Sequence, residues 1–157
     1  MCNEKSTNLK FWNDLLLRLL NRFDEEQLRK PVYPNGSCVQ WIVGHIASGR
    51  KSMIKMLDIP DGEEDWPEGF KRGSCGQYKN SWPDISLIKE YLKKSIDMIC
   101  SKLEKEGEIL TDEATYFLSE KKLTKGHNFQ FLMFHEAYHI GQIGMAGNLF
   151  GHGPIVK

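Results

Sequence analysis

No sign of charge prevails in this chain: 21 Lys and Arg face 21 Asp and Glu, and nowhere do five or six basic residues run together. Nucleic acid and acidic membranes are held by positive charge, so neither is expected as a partner. Cysteine is sparse and scattered. Cys2, Cys38, Cys75 and Cys100 form no C-x-x-C pair, which argues against a cysteine zinc site or a redox dithiol. Long apolar runs are missing as well: the segment that follows the polar N-terminus is interrupted by Arg18, so neither a signal peptide nor a membrane span is expected, and a cytoplasmic location is. There is no internal repeat and no pair of alternating strand-like runs. The 157 residues are enough to bury one core without disulfide staples, so a single domain spanning 1–157 is expected.

Helical periodicity is what the chain does have. Leu9, Trp12, Leu16, Leu19, Leu20 and Phe23 step by three and four, predicting a first helix that starts after Ser6 or Thr7 as N-cap and runs to about Phe23. Pro31 and Pro34 mark a loop. A second helix follows, with Ser37 and Gln40 placed as a capping box, Trp41, His45, Ser48 and Ser52 on its inward face, and an end before Pro60. Between Asp58 and Trp82, proline and glycine keep breaking the pattern, yet Trp66, Phe70, Tyr78 and Trp82 are too many aromatics for a disordered linker. This loop is expected to pack across one end of the helices.

A third helix, after Trp82-Pro83, carries Ile88, Tyr91, Leu92, Ile96, Ile99 and Leu103 and is stopped by Gly107. Ala114 to Leu118 is either a helical turn or a strand-like piece. The fourth helix begins near Gly126 to Asn128 and ends at Leu149 or Phe150, with Gly151 as its stop. The fold class expected is all-α, a four-helix bundle.

The residues that can carry chemistry lie on the fourth helix, in Phe131-Leu-Met-Phe-His135-Glu136-Ala-Tyr138-His139-Ile-Gly-Gln142-Ile143. His135 and His139, one helical turn apart, project from one face and can close on one metal ion. Literally the segment also spells H-E-x-x-H, the metallopeptidase pattern of two zinc ligands and a glutamate base. That reading lacks a third ligand: position 145 is Met145, position 142 is Gln142, and no Asp or Glu follows Glu136. An E-x-x-H di-iron reading lacks its second copy, and Ile42 stands where a glutamate would partner His45. Three inward imidazoles, His45, His135 and His139, would all be satisfied by one divalent ion, in a His₃ site with an open position as in catalytic zinc centres; nickel and iron also suit it. His127 and His152 read as capping, exposed or tail residues.

Glu136 lies about 100° around the helix from His135. It reads as a solvated residue or as a base at a pocket edge, the solvated reading being preferred. Gln142 shares the histidine face and is a candidate for a catalytic or ligand-supporting role. Trp41, Ser48, Tyr138 and Gln142 are candidates to line a substrate pocket. Gly141, Gly144 and Gly147 suggest close approach by another helix, from this chain or a second subunit.

Taken together, Ser37-x-x-x-Trp41-Ile-Val-Gly-His45-Ile and His135-Glu-Ala-Tyr-His139-Ile-Gly-Gln142-Ile143, with the closing Leu149-Phe150-Gly151, resemble the DinB-like family of small bacterial four-helix-bundle metalloproteins. The resemblance implies helices wired up-down-down-up with a long crossover between the second and third, His45, His135 and His139 as ligands of zinc or nickel, and a homodimer. It further implies a small-molecule substrate and, from some relatives, hydrolysis or group transfer involving a low-molecular-weight thiol. Where many relatives carry basic residues after the last histidine, this chain has Ile140 and Ala146, which puts an anion-holding role at those positions in question. Non-catalytic readings, a metal-stabilised ligand-binding module or a structural metal staple, stay beside the enzymatic one.

Overall fold

The computed structural model describes residues 4–60 and 68–155. Its elements are α1 (Glu4–Leu20), α2 (Glu25–Arg29), α3 (Val39–Met56), α4 (Ile85–Glu106), a hairpin of β1 (Glu113–Thr115) and β2 (Lys122–Thr124), and α5 (Lys125–Leu149). The four long helices are those the apolar spacing predicted, and the chain is an all-α bundle with one small hairpin. No described helix is long and apolar enough to cross a membrane.

Each of α1, α3, α4 and α5 buries one stripe, and the stripes meet in a single core that includes Leu9, Leu16, Ile46, Met53, Ile88, Leu92, Ile99, Phe129 and Ile143. Removing apolar surface of this kind from water, at about 25 cal/mol per Å², supplies the main drive to fold. Around the bundle the neighbours run α1, α4, α3, α5 and back to α1, so α1 and α3 lie across one diagonal, α4 and α5 across the other.

Cross-helix contacts fix the directions. Gln40 donates to Pro83 O and Arg50 to Leu92 O, so α3 and α4 run parallel. Lys10 pairs with Glu104 while Lys89 reaches Asn21, so α1 and α4 are antiparallel. On α3 and α5, Gly49 and Arg50 meet His135 and Glu136 whereas Trp41 and Ile42 share a cavity with Gln142 and Met145, so these two are antiparallel as well. The order is therefore up-down-down-up, and the parallel step from α3 to α4 requires the long crossover between them.

Local boundaries depart from the periodic reading where side chains settle them. Helix α1 begins at Glu4, and Ser6, expected as a cap, is fully buried inside it. The stretch to Phe23 breaks after Leu20, because Asp24 and Gln27 form a capping box that opens the separate short helix α2. The cap of α3 is Cys38 instead of Ser37, with no side-chain bond. The Ala114 segment is a strand, β1, whose partner β2 leads directly into α5; Asn128 ties the two by accepting from Phe117 N–H and donating to Thr115 O. His127 accepts from Thr124 N–H at the start of α5, the capping role expected of it. His152 packs edge-on against Phe23 and hydrogen-bonds Gln27.

The crossover packs on the bundle, as its aromatics implied: Phe70 is fully buried, Trp82 nearly so, and the two rings lie 4.8 Å apart between centroids. Trp66 lies outside the described residues. Gly44 makes this packing possible, since a Cβ there would lie 2.5 Å from the Phe70 ring.

One polar group occupies the centre. Arg50 on α3 is fully buried, and four of its five N–H groups are accounted for. Nε and Nη2 donate to the two oxygens of Glu136 on α5 (3.0 and 2.5 Å), and Nη1 donates to Asn13 Oδ1 on α1 (2.8 Å) and Leu92 O on α4 (2.6 Å). Replacing Glu136 with Ala strands that guanidinium, and the expected loss is about 3–5 kcal/mol of unfolding free energy, measured by urea titration. Replacing Arg50 and Glu136 together with Met is expected to restore most of it.

Candidate metal centre

His45 comes from the middle of α3, and His135 and His139 from successive turns of α5, which crosses it antiparallel. Their Nε2 atoms converge. His135 Nε2 lies 3.1 Å from His45 Nε2 and 3.0 Å from His139 Nε2, and among the described residues these three side chains form a group able to hold a metal ion. Nitrogens bound to one tetrahedral zinc at about 2.0–2.1 Å stand roughly 3.3 Å from one another, so the spacing is already close to that of a ligand set.

Two of the rings are oriented by partners on their other nitrogen. His45 Nδ1 lies 2.6 Å from the Phe70 carbonyl, and His139 Nδ1 lies 2.6 Å from Gln142 Oε1. Both partners can only accept, so each Nδ1 carries the proton and each Nε2 turns a lone pair toward the centre. A proton on His135 Nε2 could be given to only one of them along a good line. A cation between the three satisfies every lone pair at once. Gln142 is itself held, donating from Nε2 to the Tyr138 hydroxyl at 3.0 Å. Trp41 stacks on His45 with centroids 4.8 Å apart and planes 15° from parallel, and its indole N–H donates to Gly69 O.

Burial, reinforced by the other two imidazoles and by Arg72, pushes the His135 pKa down to about 4; burial also lowers that of His139, against the hydrogen bond it donates to Gln142. Both are neutral at pH 7, the form in which imidazole binds metal.

The remaining candidates divide. Trp41, Tyr138, Gln142 and His139 line one cavity of about 150 Å³, joined by Val32, Tyr33 and Ser37 from the segment before α3, by Ile42, and by Met145. Ser48 is not among its lining residues. The solvated reading of Glu136 is corrected: its carboxylate is buried and bound to Arg50, because the fourth helix is enclosed on that side by α3 and α1. Periodicity alone could not show this, since α5 is apolar on nearly all sides. Arg50 and the Phe70 carbonyl were missed altogether. The signal for the second was Gly44, one residue before His45. Ile140 and Ala146 are both buried in the core.

An up-down-down-up helical bundle with three imidazoles converging from its second and fourth long helices defines a class of small histidine-site proteins. The DinB superfamily profile matches residues 9–143, and the chain belongs to that superfamily. A solved structure, the crystal structure of the conserved protein of locus from Enterococcus faecalis, aligns with a TM-score of 0.64 over 92% of this chain and 94% of that one. At 16% identity the likeness is one of fold. No curated protein matches this chain.

The metal-free protein is expected to lose stability as pH falls from about 6.5 toward 4. The unfolded chain takes up a proton on His135 in that window while the folded state, with its pKa at about 4, does not. Melting temperature measured in chelator across that range should fall more steeply for the wild type than for His135→Gln. Substituting Ala for Gly44 should push Phe70 away from α3 and weaken metal affinity about 10–100-fold, the range typical for losing a partner that orients a ligand, as read by competition with a chromophoric chelator.

Proposed function

We propose that this protein is a metal-dependent enzyme in which His45, His135 and His139 hold one divalent ion, zinc or nickel, and a small substrate sits in the adjoining cavity. The observation that carries this reading is the convergence of three Nε2 atoms with Nδ1 of His45 and of His139 already committed elsewhere. Held by these three histidines, such an ion would lower the pKa of a water or thiol and so supply a nucleophile near neutral pH. The reaction class is accordingly hydrolysis or transfer involving a low-molecular-weight thiol.

The protein's own groups have defined tasks in this scheme. Phe70 O and Gln142 Oε1 hold the tautomers of His45 and His139, and Tyr138 holds Gln142. Glu136 is occupied with Arg50, which argues against its acting as general base. That same pair already joins α3 to α5 next to the histidines, so a metal is not required as a staple; this favours the catalytic reading over the structural one. A homodimer is supported by the outer face of α5, where Phe134 is exposed and a Cβ at Gly141 or Gly144 would meet nothing within 4 Å.

Metal analysis of protein purified without a histidine tag is expected to give about one ion per chain for the wild type and none for His45→Ala; a stoichiometric ion retained by the variant overturns the assignment. Chelation should lower the melting temperature only modestly, whereas a structural metal would cause a large fall. With zinc or nickel restored, metal-dependent transfer of a small thiol to an electrophile, or hydrolysis of an activated ester, should be measurable and should disappear in His45→Ala.

A further inference from the structure

The cavity beside His139 has a composition unlike that of an anion site. Its described lining contains no Lys, Arg, Asp or Glu, so in the metal-free chain a carboxylate or phosphate buried there would find no charged partner in that lining. Its walls are more apolar than polar: the apolar part comes from the Trp41 indole, whose N–H is spent on Gly69 O and Ser74 Oγ, the side chains of Ile42 and Met145, and the rings of Tyr33 and Tyr138. Gln142 is likewise engaged, by His139 through its oxygen and by Tyr138 through its nitrogen. What is left for a ligand's polar atom is the second N–H of Gln142 and hydroxyl groups, that of Tyr138 among them. In size, about 150 Å³ is the volume at which an apolar cavity accepts one benzene molecule.

We propose that this cavity binds a small neutral molecule bearing a single ring, or an aliphatic group of that size, with at most a hydroxyl-like or carbonyl-like polar end, and that in the metal-free protein it discriminates against anions of the same shape. The inference names the substrate class of the reading given above and rests on that reading for the chemistry that follows binding; the binding itself requires no metal. Three of the nine large apolar side chains that stand exposed among the described residues, Tyr33, Tyr138 and Met145, belong to the cavity's lining. Their placement gives the ring an apolar path in from solvent.

The test uses the whole chain in chelator at pH 7, with ¹³C-labelled isoleucine methyls, and follows Ile42 by NMR while benzyl alcohol or benzoate is added. Benzyl alcohol is expected to give a saturable shift, and benzoate to bind about tenfold more weakly or worse. Met145→Trp, at a position 57% exposed, fills the cavity from its rim and should weaken benzyl alcohol about tenfold with the melting temperature held. Met145→Ala, which removes a wall without adding bulk, should weaken it less. Benzoate binding as tightly as benzyl alcohol, no saturable shift, or an affinity unmoved by Met145→Trp overturns the proposal. Because no metal is present, these outcomes are separate from the metal analysis: ring binding in a protein that takes up no metal would leave the cavity's specificity standing and remove the enzymatic reading.

Discussion

A fully buried guanidinium is the constraint on which the rest of this bundle depends. Arg50 issues from α3 and bonds to α1 through Asn13, to α4 through the Leu92 carbonyl and to α5 through both oxygens of Glu136. Apolar stripes alone tolerate sliding and rotation, since any well-filled packing removes similar area from water. A planar fork that must satisfy its donors in a low-dielectric interior does not tolerate such slippage. It therefore sets the register of α3 against α5, and with it the height at which His45 meets His135 and His139.

The histidine cluster shows the same logic in reverse. Each of these imidazoles would be costly in the interior without partners. Phe70 O and Gln142 Oε1 satisfy one nitrogen on each of two rings, and doing so turns the opposite lone pairs inward. The outward nitrogens of His45 and His139 are thus satisfied, and the three Nε2 atoms are left facing each other. Lowered proton affinity at His135 and His139 keeps that point ready for a cation other than a proton.

The crossover between α3 and α4 links fold to site. Parallel neighbouring helices need a connection that returns the length of the bundle, and here that connection lays Phe70 into the notch left by Gly44. Its carbonyl then reaches His45. Trp41, one turn earlier, stacks on the same ring and anchors the loop through Gly69 and Ser74, so the loop supports the site from two directions.

Much of this was legible from residue order. Spacing by three and four located all four long helices because each has one face to bury, and the H-x-x-x-H spacing put His135 and His139 on one face because a helical turn is 3.6 residues. The absence of a third ligand downstream pointed back to His45. Helix ends were less legible: Ser6 is interior and Cys38 takes the cap because side-chain burial and loop geometry, which periodicity does not contain, choose the boundary. Glu136 is the clearest case. On sequence it was a charged residue on a helix and was read as solvated; only the arrival of Arg50, 86 positions away in the chain, made it a buried partner. Local order determined which residues share a face of a helix. Which faces meet, and therefore which polar groups are satisfied and which are left to bind something, was decided by tertiary packing, because a hydrogen bond between distant residues has no signature in the spacing of either one.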